Sequence, residues 1–248
     1  MNATFDSPVR FSHLKAYGRS AAHGLHARTE DQVGGTYAMQ RGTAVHAILF
    51  DTRKVAAWDG PVRRGKAYDE FVASNPDTEI MTATEYQKSH AMAAAVRACP
   101  AAMEVLQGET EKTIYFDWMG KKCRATPDVR GNGYVTELKS SATSDPGRFV
   151  WHALRMQYNA QLRMQQIACD MDIMSDRAYV VAVESAAPFP VTVFHVQYRA
   201  LEVGERCLTL WMERLRNSES SGCWPAYVES IVPLDMPEDF ELDYGEDE

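Results

Sequence analysis

The sequence predicts an α/β fold of the α+β kind, and three observations predict it. Three short strand-like segments lie in the middle of the chain with turn residues between them. These segments are residues 112–118, 123–130 and 134–139. A long helical segment follows at about residues 149–170, and two strand-like segments come after it, at residues 177–185 and 190–198. Strands before and after a long helix are typical of a sheet that is flanked by helices.

The remaining segments are mostly helical. Four of them carry apolar residues at helical spacing, with a break at Pro100 in the third. They are residues 10–28, 38–50, 83–107 and 199–217. A looser stretch at residues 29–37 contains Gly34-Gly35, and residues 51–80 are rich in Asp, Gly, Pro and Lys, which predicts irregular structure.

The length of 248 residues suits one large domain. We predict a single domain over residues 1–234 with an N-terminal helical elaboration, followed by an acidic C-terminal tail over residues 235–248. The tail holds eight Asp and Glu residues and no Lys or Arg, whereas the rest of the chain has 26 acidic and 26 basic residues. The net charge of −8 therefore belongs to the tail. A neutral body does not exclude a DNA enzyme, which needs only a basic channel.

Composition excludes several classes of protein. No apolar run approaches the roughly 20 residues of a membrane helix, and the N-terminus lacks a signal-peptide pattern. The five cysteines are scattered and no two have C-x-x-C spacing, which argues against a zinc ribbon or an iron–sulfur cluster. The odd cysteine count fits a reducing compartment, so we expect a cytoplasmic protein without a membrane partner.

The three central segments bring Asp128, Glu137 and Lys139 to one end of the sheet. Glu137 and Lys139 point the same way, because residues two apart on a strand share a face. Two carboxylates beside a lysine suit a hard divalent cation and a water to be activated. The alternative is that these residues are charges of a surface hairpin that serve solubility alone.

The motif Pro127-Asp128, eight residues, Glu137-Leu138-Lys139 resembles the signature of the PD-(D/E)XK nuclease superfamily. Two further segments, Gly42-Thr-Ala-Val-His46 and Tyr158-Asn-Ala-Gln161, make the set similar to the RecB and RecE branch. The resemblance covers roughly residues 10–200. It implies a restriction-endonuclease-like core with a central mixed sheet flanked by helices, and Mg²⁺ as cofactor, for which Mn²⁺ can substitute.

The resemblance also implies roles for single residues. Asp128, Glu137, His46 and the backbone carbonyl of Leu138 would bind one or two metal ions, and Lys139 would orient or deprotonate the attacking water. His46 has a competing interpretation as a packed core histidine. Removing Asp128 or Glu137 is expected to leave the fold intact.

The glutamine motif leaves alternatives open. Gln161 would contact the catalytic group or the scissile strand, but it could also be a polar residue of an exposed helix face, and Gln157 competes for the role. Many relatives have Tyr four residues after the Gln, where this chain has Gln165, and Tyr158 lies one turn before Gln161 instead.

Basic residues near the motif are candidates for DNA contacts. Arg124 is predicted on the strand of Asp128, four residues earlier and on the same face. Arg148 and Arg155 flank the start of the following helix, where phosphate is favourable. With Tyr158 they form the predicted DNA-binding set, although solvated surface is the default interpretation of each arginine.

The resemblance is strongest to RecE-type exonucleases (exonuclease VIII-like), which are often phage- or prophage-borne. It implies 5′ to 3′ digestion of linear double-stranded DNA from its ends, with a 3′ overhang left for a single-strand annealing protein in recombination. It also implies a homo-oligomeric ring, a trimer or a tetramer. The alternatives are an endonuclease of the same superfamily and a non-catalytic DNA-binding or assembly module.

Overall fold

The computed structural model describes residues 7–30, 36–228 and 230–234. The predicted acidic tail, 235–248, and the Gly34-Gly35 pair lie outside these residues. No helix in the described part is both long and apolar enough to cross a membrane.

Strands alternate with helices along the described chain. The strands are β1 (Lys54–Trp58), β2 (Thr78–Thr82), β3 (Glu109–Thr110), β4 (Ile114–Trp118), β5 (Lys121–Ala125), β6 (Val129–Gly131), β7 (Tyr134–Ser141), β8 (Arg177–Glu184) and β9 (Val191–His195). The helices are α1 (Phe11–Arg19), α2 (Ala21–Thr29), α3 (Tyr37–Phe50), α4 (Lys66–Ser74), α5 (Ala83–Ala98), α6 (Pro100–Val105), α7 (Pro146–Met156), α8 (Tyr158–Ala168) and α9 (Tyr198–Ser221).

A five-stranded mixed sheet in the order β3-β6-β7-β8-β9 forms the centre. β7 and β8 run parallel over eight residue pairs, from Tyr134 opposite Arg177 to Ser141 opposite Glu184, and the other neighbours are antiparallel. The connection between β7 and β8 consists of α7 and α8, as a parallel pair requires a long crossover. The predicted central mixed sheet flanked by helices is therefore confirmed.

Helices cover both faces of β7 and β8. On one face, Val135 and Val180 pack in a cluster with Phe149 of α7 and Leu162 of α8. On the other face, Leu138 packs in a second cluster with residues of α3, α5 and α6, namely Val45, Met92, Val96, Ala102 and Val105. Because side chains alternate along a strand, Glu137 and Lys139 lie on the α8 face and Leu138 lies on the α3 face.

The predicted three-stranded meander is wrong as a single sheet. β4 and β5 form a separate two-stranded ribbon, and only β6 and β7 belong to the central sheet. The predicted strand 123–130 is divided at residues 126–128, where Pro127 has no N–H to donate to a strand partner. Arg124 therefore lies on β5, and the prediction that it shares a strand face with Asp128 is also wrong.

Three further boundaries differ from the prediction. The helix predicted over 149–170 is two helices, because Gln157 adopts the left-handed conformation (φ 60°) and its N–H bonds to the last carbonyls of α7. The helix predicted over 10–28 is interrupted at Ser20, whose side chain accepts the His23 N–H at the start of α2. The segment 51–80 is not irregular, since it contains α4 and the parallel pair β1 and β2.

A third cluster attaches α1 to α8 and α9. Leu14 and Tyr17 of α1 pack with Met164 of α8 and with Trp211 and Leu215 of α9. α9 approaches α8 closely at Gly204, where a side-chain carbon would lie 2.8 Å from the backbone of Ala160. This packing places the N-terminal helices beside the helix that covers Glu137 and Lys139.

His13 is a buried residue of this interface, 6% exposed. Its Nε2 accepts a hydrogen bond of 2.8 Å from Arg10, so its protonation would break that bond. Burial lowers the pKa of His13 to about 4, and the charges of Arg10, Arg28 and Arg124 add to the effect. His13 is therefore neutral in the folded protein at pH values where an exposed histidine would begin to bind a proton.

We expect His13 to make the fold sensitive to acid. The folded pKa lies below the unfolded value, so the neutral imidazole contributes its full stability above about pH 6.5, and that stability is lost as the pH falls towards about 4. Solvent screening leaves an effect of about 1–2 kcal/mol. Urea unfolding should show that the parent protein exceeds His13→Gln in free energy of unfolding by less at pH 4.5 than at pH 7.5, and that the two differences are separated by this amount. An equal difference in free energy of unfolding at both pH values would contradict the expectation.

Candidate active site

Asp128 lies between Pro127 and β6, beside the middle of β7. Its Oδ2 accepts the backbone N–H of Leu138 at 2.7 Å, which joins the carboxylate to β7. Its Oδ1 lies 3.5 Å from Nδ1 of His46 on α3. The carboxylate is thus held between two strands and a helix.

Glu137 lies on β7, and it is only 1% exposed. Oε2 accepts hydrogen bonds from Lys139 Nζ and, at 2.8 Å, from Gln161 Nε2. Oε1 accepts a hydrogen bond from Gln165 Nε2. A buried carboxylate needs such donors to remain charged, and here they come from β7 and from one face of α8. The structure therefore brings Gln161, rather than Gln157, to Glu137.

Lys139 lies between Glu137 and Tyr158. Its ammonium nitrogen is 5.1 Å from the centre of the Tyr158 ring, at the distance of a cation–π contact. Burial lowers the pKa of Lys139, but the carboxylates of Glu137 and Asp128 outweigh burial, so the pKa is raised overall. Tyr158 is itself buried, and the ammonium group of Lys139 lies over the face of its ring.

His46 lines the same space from α3. Its Nε2 lies 3.0 Å from the carbonyl oxygen of Leu138, and its Nδ1 faces Asp128 and, at 3.7 Å, Oε1 of Glu111. The side chain is 21% exposed, so His46 is not enclosed in the core. Burial lowers the pKa of His46, but Asp128 and Glu111 outweigh burial and raise it overall.

Glu111 was not predicted as a site residue. It follows β3 with φ 48°, and its N–H bonds to the carbonyl of Asp128 at 3.1 Å. This left-handed turn directs the carboxylate to His46, and the contact with His46 lowers the pKa of Glu111 against the effect of burial. The sequence contains one signal of this position, an acid directly ahead of the first central strand segment.

Gln165 was also missed as a partner of Glu137. The sequence singles out this position only because relatives carry Tyr there. Gln161 and Gln165 are four residues apart and therefore share a face of α8, from which each donates to one oxygen of Glu137. Their spacing was the signal that could have identified them as a pair.

The centre of this site contains more carboxylates than positively charged groups. Burial raises the pKa of Asp128 to about 7, and the charge of Glu137 adds to the rise, although His46, Lys139 and the Leu138 N–H oppose it. An additional cation would relieve this accumulation of negative charge. Carboxylate oxygens, a carbonyl oxygen and an imidazole are suitable donors for Mg²⁺ or Mn²⁺.

The groups of the site are of the right chemical type to bind a divalent cation, but they are not arranged around a metal-binding position. Within the described ranges, no three His, Cys, Asp or Glu side chains are arranged as a ready metal site. The carbonyl of Leu138 lies against His46, and both oxygens of Glu137 accept hydrogen bonds from within the protein. Metal binding therefore requires these donors to shift.

The predicted DNA-binding arginines lie on two different elements, β5 and α7. Arg124 and Arg10 line a cleft of about 310 Å³ that also contains Gln161 and Gln165. Arg148 and Arg155 are exposed on α7, one near each end of the helix. The cleft of Arg10 and Arg124 therefore adjoins the glutamines that bond to Glu137.

The fold is shared with a solved structure. A candidate exonuclease from Eubacterium rectale aligns with a TM-score of 0.60 at 14% identity, over 93% of this chain and 90% of that chain. LHK-Exo in complex with dAMP aligns with a TM-score of 0.33 at 12% identity, over 75% of this chain and 93% of that chain, and this likeness is too low to add to the argument. Among curated proteins, none matches the sequence significantly.

The family is established by sequence. A family model described as a PDDEXK-like domain of unknown function (DUF3799) matches residues 10–234, which include every predicted site residue. Nucleases of this kind generally use divalent metal ions. The chain therefore belongs to the DUF3799 family of PDDEXK-like domains, and with it to the PD-(D/E)XK nuclease superfamily.

Proposed function

We propose that this nuclease is a RecE-type exodeoxyribonuclease that hydrolyses linear double-stranded DNA from 5′ ends and leaves 3′ single-stranded overhangs. The observation that carries the proposal is the meeting of Asp128, Glu137 and Lys139 with His46 and Gln161 around the middle of β7. These are the four motifs on which the resemblance to the RecB and RecE branch rests. An intact set of this kind argues against a non-catalytic DNA-binding module.

Asp128, Glu137, His46 and the Leu138 carbonyl are the residues that would hold one or two Mg²⁺ ions, with Mn²⁺ as a substitute. A bound ion supplies charge for the phosphoryl oxygens and a water of lowered pKa. Lys139 orients the attacking water and adds positive charge where negative charge grows on the phosphate. Gln161 and Gln165 fix the rotamer of Glu137, so that its position does not depend on Lys139 alone.

DNA reaches the acidic centre between two positive borders. Arg124, with Arg10, provides the border beside α8, and Arg148 and Arg155 provide the border on α7. Arginines in such places contact the backbone phosphates, which fixes the register of the duplex without reading its sequence. Tyr158 contributes through Lys139, which its ring supports.

The wider biological role follows from the same resemblance. We infer a homo-oligomeric ring, a trimer or a tetramer, and a single-strand annealing protein that receives the 3′ overhang in recombination. We also infer one nuclease domain over residues 1–234, with the acidic residues 235–248 as a separate tail. The long crossover between β7 and β8 and the shared clusters of α1, α8 and α9 support the single domain.

We expect exonuclease action to be visible on two DNA substrates of equal sequence. In Mg²⁺, a linear duplex with labels at either the 5′ or the 3′ end should be shortened, with early loss of the 5′ label, and a covalently closed circle should survive. Asp128→Asn serves as the inactive control. Linearisation of the circle would favour an endonuclease of the same superfamily, and early loss of the 3′ label would contradict the RecE-type assignment.

A further inference from the structure

A lysine outside the predicted site lies next to it. Lys15 of α1 donates a hydrogen bond of 2.9 Å to the carbonyl of Met156, the last residue of α7. Burial lowers the pKa of Lys15, and the ammonium of Lys139 lowers it further. Lys15 is thus joined to the end of α7, two residues before Tyr158, whose ring contacts Lys139.

The last turn of α7 continues this edge. Nε2 of His152 lies 3.4 Å from the hydroxyl of Tyr158, whose ring faces Lys139. Arg155 follows His152 by three residues, within one helical turn. Burial lowers the pKa of His152, and the charges of Arg155 and Lys15 also contribute. Lys15, on α1, and Arg155, on α7, therefore both lie at the C-terminal end of α7.

No acidic side chain balances these cations. Residues 146–156 of α7 contain no Asp or Glu, and within the described part neither Lys15 nor Arg155 forms an ion pair. Lys139, by contrast, is paired with Glu137. The bond to the Met156 carbonyl uses one of the three N–H donors of Lys15, and an anion bound between Lys15 and Arg155 would reduce the repulsion between the two cations. Such an arrangement is typical of a binding site for an anion.

We propose that Lys15 and Arg155 form a subsite for one internal phosphodiester of the DNA, next to the phosphate that is cleaved. The proposal rests on the proposed function and specifies how the DNA is held. Both side chains carry only donors, which suits phosphate oxygens. His152 lies three residues before Arg155 on α7 and contacts Tyr158, which connects the end of α7 to Lys139. The subsite is separate from the cleft of Arg10 and Arg124, which lies at Gln161 and Gln165.

The salt dependence of DNA binding tests the subsite without catalysis. Fluorescence anisotropy would measure the binding constant of the protein for a blunt linear duplex in EDTA over a range of KCl concentrations. The parent protein would be compared with Lys15→Gln, Arg155→Gln and the double variant. Each lost phosphate contact should reduce the slope of log K against log salt concentration by about 0.9. The double variant, which loses two contacts, should show about twice that reduction. Lys15→Gln keeps a donor for the Met156 carbonyl. Arg19→Gln, an exposed change on the same helix, is the matched control and should leave the slope unchanged.

Two results would overturn the proposal. One is an unchanged slope in both single variants, or an equal reduction in Arg19→Gln. The other is a reduction that occurs with a 5′-phosphorylated duplex and disappears with a 5′-hydroxyl duplex, since the ligand would then be a terminal phosphate. The proposed function can fail separately, because a protein that cuts circles can still show the reduced slopes in EDTA.

Discussion

Asp128→Asn is expected to abolish DNA cleavage while the fold is retained. The amide has the same shape, and its oxygen can still accept the Leu138 N–H that holds Asp128 in place. The change removes one negative charge from the group that would hold the metal. Loss of a ligand charge of this kind costs several kcal/mol of transition-state stabilisation, which corresponds to a loss of roughly 10³-fold or more in rate.

Release of nucleotides from linear duplex DNA, measured beside the melting temperature, checks this expectation. Asp117→Asn, an exposed carboxylate on β4, is the matched control and should keep full activity. Cleavage by Asp128→Asn at near the parent rate would refute the site assignment. Glu137→Gln should be inactive in the same way.

Glu137→Ala is a poorer test than the sequence suggested. The expectation that this change leaves the fold intact does not fit the burial of Glu137, since the variant would leave Lys139, Gln161 and Gln165 without their acceptor. Unpaired buried donors of this kind cost about 1–3 kcal/mol each. Inactivity of the alanine variant would therefore mix lost stability with lost chemistry.

Lys139→Gln is expected to lower kcat by about 10²- to 10³-fold, the usual cost of removing one preorganised electrostatic donor. The glutamine can still donate to Glu137, so that the carboxylate keeps all of its partners. Metal binding should consequently persist, and calorimetry with Mn²⁺ measures it. Lys122→Gln, on the exposed face of β5, is the control. Loss of metal binding in Lys139→Gln would mean that Lys139 holds the site together rather than assisting the reaction.

The contacts within the candidate site that could be predicted from the sequence follow from local rules. Glu137 and Lys139 share a face because a strand alternates every two residues, and the β6–β7 turn returns the chain so that Asp128 meets Leu138. The positions of His46 and Gln161 came from the resemblance alone, since neither can be placed against Glu137 or Asp128 from local spacing.

The remainder depends on conformations that sequence patterns do not reveal. Gln157 and Glu111 have positive φ although neither is glycine, so nothing in the residue type marks the end of α7 or the turn towards His46. The division of the predicted strand at Pro127 was more accessible, because proline cannot continue a central ladder. Lys15 meets α7 only through packing of α1 on α8 and α9, which no segment determines by itself.

The contacts of the site join residues whose separations along the sequence differ greatly. Asp128 and Leu138 are 10 residues apart, and Glu137 and Gln161 are 24 apart. His46 and Leu138 are 92 apart, and Lys15 and Met156 are 141 apart. Since distant contacts carry the larger closure entropy, the acidic hairpin can form early during folding, and Arg10 and Lys15 join the site only when α1 docks. A partly folded chain would thus have its carboxylates in place before the basic residues of its N-terminal helix.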